Sequence, residues 1–190
     1  MSGMDETSTG TAQRFDNEKT GTMYIRRAEP RDIPQIDVLL HEVLNVHHAG
    51  RPDLFKPAAT KYTDSQLLTM IGDDAMPIFV AVEPDAGSIA DGDSGNDDRL
   101  LGYAFCQFQQ HVDDNILTDI RTLYIDDLCV DEMQRGRHVG TALYHHVLDF
   151  AKAAGCYNVT LNVWACNEAA RGFYEHCGLK PQKIGMETIL

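Results

Sequence analysis

Val130-Asp131-Glu132-Met133-Gln134-Arg135-Gly136-Arg137-His138-Val139-Gly140-Thr141-Ala142-Leu143 joins a strand-like stretch, residues 122–130, to a helix-like one, residues 139–154. A loop in this position turns backbone N–H groups outward at a helix start, where the helix dipole adds partial positive charge. The result is an anion site that needs no side-chain charge. Arg135 and Arg137 flank it, and guanidinium donors suit a diphosphate. A solvated helix start with basic neighbours is the alternative that the loop alone leaves open. The loop lacks Gly-Lys-Ser/Thr, which argues against an NTP-binding loop. It also lacks GxGxxG and a later acidic residue at the end of a second strand, which argues against a dinucleotide fold.

Further along stands Asn167-Glu168-Ala169-Ala170-Arg171-Gly172-Phe173-Tyr174-Glu175-His176-Cys177-Gly178-Leu179. Together the two stretches resemble the GNAT superfamily of N-acetyltransferases. The first matches that family's pyrophosphate loop, Gln/Arg-x-x-Gly-x-Gly/Ala, at Arg135 and Gly140, with His138 where a glycine is usual. A positive φ at His138 would strain a residue that carries a side chain. The second matches Asn-x-x-Ala-x-x-Phe/Leu-Tyr-x-x-x-Gly-Phe at Asn167, Ala170, Phe173, Tyr174 and Gly178, with Leu179 replacing the final Phe. The resemblance spans residues 23–190. It implies an α/β fold, the GNAT acyl-CoA N-acyltransferase fold, with a central mixed and mostly antiparallel β-sheet flanked by helices on both faces.

Composition agrees with one domain. A chain of 190 residues can bury a continuous core. It has no apolar run long enough to span a membrane, and residues 1–22 lack the apolar core of a signal peptide. Five cysteines, Cys106, Cys129, Cys156, Cys166 and Cys177, form no CxxC pair and read as reduced thiols in a cytoplasmic protein. A net charge of −13 speaks against nucleic-acid binding and would draw cationic substrates, although it serves solubility equally well. Much of the acidity lies in 83–99, which reads as an exposed hairpin loop. Residues 1–22 read as a disordered tail and 23–190 as the folded domain.

Along the chain, residues 23–28 suit a strand; 30–34 then start a helix carrying Ile36, Leu39, Leu40, Val43 and Leu44 on one face, ended by Gly50-Arg51-Pro52, with 49–57 as a loop. A short helix suits 64–71 with Asp64 as its N-cap, and strands suit 78–82, 100–109 and 122–130. Val139, Ala142, Leu143, Val147, Phe150 and Ala151 recur at helical spacing, Val159, Leu161 and Val163 alternate, and Asn167 caps a last helix. Residues 180–190 are expected to supply final strands.

The resemblance implies acetyl-CoA as co-substrate, bound by Leu128, Cys129, Val130, Arg135, Gly136, Arg137, His138, Val139, Gly140, Thr141, Asn167 and Tyr174. It implies transfer of an acetyl group to a primary amine of a small molecule or protein by direct attack on the thioester. Tyr174 would be the general acid for the leaving thiolate, and backbone N–H groups of 128–130 would hold the oxyanion. Asp126 is the candidate base: it lies in an apolar strand, is expected to share a face with Tyr124, Leu128 and Val130, and would gain proton affinity on burial. Asp127 is expected to point the other way. Asn162 stands where some relatives carry a catalytic glutamate, a role an amide cannot fill. The acceptor site would be built by the first helices, 48–57, 111–119 and the final strands, and a homodimer is compatible with the family. His41-Glu42 is followed by Asn45, so HExxH fails and no metal site is expected. The competing readings are a non-catalytic acyl-CoA-binding sensor on the same fold and a generic nucleotide-binding domain.

Overall fold

A computed structural model describes residues 13–17, 21–84 and 98–190. Its elements in chain order are β1 (Gln13–Asn17), β2 (Gly21–Arg27), α1 (Ile33–Gly50), α2 (Asp64–Ile71), β3 (Ile78–Glu83), β4 (Arg99–Gln110), β5 (Arg121–Val130), α3 (Val139–Ala153), β6 (Asn158–Leu161) and α4 (Glu168–His176). The strands form a six-stranded sheet in sequential order, antiparallel throughout except for the parallel pair β5–β6. Strand β1 is a correction, since its residues were expected within a disordered tail. It pairs with β2 from Gln13↔Ile25 to Asn17↔Gly21. The acidic hairpin joins β3 to β4, and its residues 85–97 lie outside the described residues.

Helices cover both faces. Ile36, Leu39 and Leu40 of α1 and Leu67 of α2 pack with Ile78, Val80, Val82, Tyr103 and Phe105 on one side. Leu143, Tyr144 and Val147 of α3 pack with Phe79, Ala81, Leu123 and Ile125 on the other. The alternation of β3 between these cores follows from the period of two in an extended chain. Helix α2 begins one residue earlier in its cap than expected. Thr63, not Asp64, is the N-cap, because Thr63 and Gln66 satisfy one another's backbone N–H groups in a capping box.

Strand β5 changes parity. Opposite β4 the register runs Phe105↔Asp127 and then Cys106↔Ile125, so Asp126 is an extra residue in a β-bulge. Before the bulge the odd residues, Leu123 and Ile125, face the α3 core; after it the even residues, Leu128 and Val130, do so, and Cys129 faces α1. Asp126 and Asp127 therefore share the α1–α2 face. The expectation that they oppose one another is corrected, as is the placing of Asp126 on the face of Leu128 and Val130.

The far end of the sheet also departs from expectation. Residues 179–190 form no strand. Strand β6 is the sheet edge, and nothing in the described chain pairs with its outer side.

Candidate active site

Strands β5 and β6 pair only from Thr122↔Asn158 to Ile125↔Leu161. Beyond that point β5 keeps β4 as its neighbour as far as Val130↔Gly102, while the chain after β6 turns off toward α4. A wedge opens between them. The backbone of 126–130 has no strand beside it there, which leaves peptide groups available to a ligand.

The wedge continues into a cleft of about 450 Å³. Leu128, Cys129 and Val130 form one wall, and Asn167, Ala169, Ala170, Phe173 and Tyr174 form the opposite one. Val43 and Val46 of α1 also line it, as do Gln134, Arg135, Gly136, His138, Val139, Gly140 and Thr141. Along this last stretch Ala142 N–H, donating to His138 O at 3.0 Å, begins the helix ladder of α3. The N–H groups before it have no intrahelical partner, no acidic residue lies in the first turn, and no side chain caps it. An apolar channel that ends at bare N–H groups and Arg135 fits a molecule with an apolar arm and a diphosphate.

Two loop residues hold left-handed backbone, Gly136 (φ 79°) and His138 (φ 60°). Glycine adopts this region without penalty, whereas His138 carries the strain anticipated for it, on the order of 1–3 kcal/mol. Gly140 is glycine for another reason. A Cβ there would stand 3.3 Å from Phe173 Cζ and 3.5 Å from Val130 Cγ2, so the missing side chain lets α3 pack closely on α4. Asn167 caps α4 as expected: Ala170 N–H donates to its Oδ1 at 3.1 Å.

Of the residues expected to bind the cofactor, Arg137 alone does not line the cleft. Its Nη2 lies 2.9 Å from Glu83 Oε1 and its Nη1 bonds Gln134, so it ties the loop to β3. The cleft adds Val43, Val46, Gln134, Ala169, Ala170 and Phe173, which the sequence reading did not assign to binding. For Val46 a signal existed: it extends the apolar stripe of α1 yet remains exposed. Trp164 is half exposed and meets Phe55 edge-on at 5.1 Å, seating the loop after α1 outside the cleft lining.

Tyr174 lines this cleft and also a second, larger groove of about 1020 Å³. Burial, and after it the charge of Asp127, push its hydroxyl above the usual phenol range, so it stays protonated at any ordinary pH. Asp127 is itself pushed up to about 6, chiefly by burial, with Lys61 and a hydrogen bond from Tyr103 opposing the rise. Asp126 is the more exposed carboxylate. It accepts from Tyr62 Oη at 2.5 Å and pairs with Lys61 Nζ at 2.8 Å, while Lys61 lies 4.0 Å from Asp127. The two carboxylates and one ammonium form a cluster, and its Asp127 lies within electrostatic reach of Tyr174.

Comparison with known proteins agrees with this geometry. The profile of the Acetyltransferase (GNAT) family matches residues 51–179, more than half of the chain, and the chain belongs to that family. Among curated relatives, glucosamine 6-phosphate N-acetyltransferase of Arabidopsis thaliana is 35% identical over 63 residues, 33% of this chain and 40% of that one. The Dictyostelium discoideum enzyme of the same name is 30% identical over 67 residues, covering 35% and 41%. The chain thus spans about two fifths of the length of these relatives. Among solved structures, a mutant of the BH1408 protein from Bacillus halodurans aligns with TM-score 0.78 at 25% identity, over 87% of this chain and 98% of that one. The Arabidopsis thaliana glucosamine-6-phosphate N-acetyltransferase structure aligns with TM-score 0.59 at 21% identity, over 88% and 97%, a likeness of fold.

Proposed function

We propose that the protein transfers an acetyl group from acetyl-CoA to a primary amine by direct attack on the thioester. The observation that carries this reading is Tyr174, which stands between two cavities, one suited to an acyl-CoA and the other open for an acceptor. A bound acyl-CoA would supply an activated acyl group. The chain's own residues do the rest. The first turn of α3 and Arg135 hold phosphate oxygens. The peptide groups of 128–130 that face away from β4 offer N–H donors where negative charge develops on the thioester oxygen. Tyr174 donates a hydrogen bond to the departing sulfur. Because its proton is held more firmly than that of an ordinary phenol, stabilisation of the thiolate by this bond outweighs full proton transfer.

An amine attacks only after losing its proton. In this reading Asp126, paired with Asp127, receives that proton once Lys61 withdraws; it lies two residues along β5 from Tyr124, which lines the acceptor groove. The same pair recognises a cationic acceptor, since it already holds the Lys61 ammonium. The relatives named as glucosamine 6-phosphate N-acetyltransferases make that amino sugar phosphate one member of the first acceptor panel, beside polyamines and lysine peptides.

The test is release of coenzyme A from acetyl-CoA across that panel, with acetyl-CoA binding measured separately. Turnover of one amine is the expected outcome. Tight acetyl-CoA binding with no turnover of any amine would overturn catalysis and leave a sensor. Tyr174→Phe is expected to lower kcat about 10- to 100-fold with little change in acetyl-CoA affinity, the size of a lost acid or hydrogen-bond donor. Unchanged turnover in that variant removes Tyr174 from the reaction.

A further inference from the structure

The Asp126–Asp127 pair is occupied by the chain itself. Lys61 Nζ stands 2.8 Å from Asp126 Oδ2, donates to Asp126 O at 3.1 Å and lies 4.0 Å from Asp127 Oδ2. A primary ammonium has three N–H donors, and this seat offers two direct acceptors on Asp126 with a second negative charge beyond them. Tyr62 also donates to Asp126 and Tyr103 to Asp127, so each carboxylate keeps a hydrogen bond whether or not Lys61 is present.

Seat and occupant are held by different means. Tyr103 is fully buried, Tyr62 stacks on Phe105 at 5.6 Å, and the Asp127 side chain is only 9% exposed. The Lys61 side chain is 37% exposed and hangs on a flexible four-carbon stem. Its neighbours in the chain are anchored: Thr60 Oγ1 donates to Tyr62 O at 3.0 Å, and Thr63 and Gln66 form the capping box of α2. Lys61 can therefore leave by rotation of its side chain alone, with loop and seat unmoved. An empty seat is unfavourable, because a buried carboxylate is then left without its cation. A second cation beside Lys61 is unfavourable too, since two ammonium groups a few ångströms apart repel each other. Exchange of one cation for another avoids both penalties.

We propose that Lys61 is a tethered competitor for the acceptor: its ammonium holds the position that the acceptor's ammonium takes, and the acceptor enters by displacing it. This assignment, which rests on the acetyl transfer proposed above, makes Lys61 a specificity-determining residue although it lies outside the lining of the cofactor cleft. Because the competitor belongs to the chain, its local concentration stays fixed at any dilution. An acceptor then binds with its intrinsic affinity reduced by the fraction of seats that Lys61 leaves free. An amine with further contacts in the site overcomes that reduction, whereas a stray small cation does so only at high concentration.

Two readouts test the proposal, one of them independent of turnover. The lysines are labelled briefly with an amine-acylating reagent, and labelling of Lys61 is read by peptide mass spectrometry as a ratio to Lys152, whose side chain is 74% exposed. The ratio is expected to be well below one in the free protein. It is expected to rise with high millimolar n-propylamine and to stay low with the same concentration of tetramethylammonium, which has no N–H donor. In the second readout, Lys61→Met is expected to lower the KM of the acetylated amine about tenfold with a smaller change in kcat, while Lys61→Arg, which keeps the charge, leaves KM high. A merely structural lysine would lower the melting temperature on removal and leave KM unmoved. Labelling of Lys61 as fast as that of Lys152 overturns the proposal, as does a ratio that propylamine does not raise above the tetramethylammonium control. An unchanged KM in a folded Lys61→Met variant overturns it as well. If Lys61 is shielded and then released while no amine is acetylated, the exchangeable ammonium seat stands and the acetyl-transfer reading falls.

Discussion

The two ends of the sheet are held by different means. From β2 to β5 the strands lie between α1 and α3, and Ile25, Val80, Ala104, Leu123 and Leu143 are fully buried. At the other end α4 has no buried residue and every residue of β6 is only partly covered. What fixes α4 is shallower: the Asn167 cap, a salt bridge from Arg171 to Glu175, and Phe173 and Cys177 packing from partly exposed positions against the α3 core. A helix cap contributes about 1 kcal/mol, whereas fully burying one large apolar side chain contributes about 1.5–3 kcal/mol. One half is thus held by deep packing, and the half that carries Tyr174 by a cap and partial packing. In the proposed reaction cofactor and acceptor meet at the seam.

That contrast can be broken most directly in the core. Leu143→Ala, at a fully buried position between sheet and α3, is expected to cost about 2–5 kcal/mol in denaturant unfolding. A loss below about 1 kcal/mol would mean that the packed half does not dominate stability. A smaller effect comes from the bulge. The carboxyl of Asp127 titrates near 6 when folded, above the ordinary value of about 3.9. The folded state therefore binds more protons in that interval, and stability falls as pH rises from about 4 to about 6. Asp127→Asn is expected to flatten this slope in melting experiments; an unchanged slope would assign the titration elsewhere. In an active enzyme the same substitution should move the acidic limb of the kcat/KM profile.

His138→Gly is expected to raise stability by about 1 kcal/mol, by relieving left-handed backbone strain at an exposed site. A loss instead would show that the imidazole makes a favourable contact that offsets the strain. The smallest effect belongs to the open half. Val159→Ala on β6 is expected to cost less than about 1 kcal/mol, because that strand is only partly buried. A loss as large as that of Leu143→Ala would erase the contrast.

Elements governed by their own residues were legible in the sequence. The stripe of α1, the cap at Asn167 and the glycine-containing loop before α3 each carry a local signature, and each formed where it was read. The parity of β5 was not legible. Asp126 and Asp127 read as alternating because the extra residue is visible only against β4, through the register Phe105↔Asp127 and Cys106↔Ile125. Arg137 was legible as a cation near an anion site, but its partner, Glu83, lies 54 residues away in sequence. Residues 180–190 have the period of a strand, yet a strand needs a neighbour, and the sequence does not say where that neighbour is.

The departure of β6 from β5 after Ile125 has a further consequence for how such a protein can diversify. One wall of the cleft is the part of β5 that runs on past its parallel neighbour, so that wall is inherited from the sheet itself. Insertions or exchanges in the loop after α1, or in the stretch between β4 and β5, alter what reaches Tyr174 from the acceptor side and leave that wall untouched. The division lets one half of the site stay constant while the other is rebuilt for a new amine.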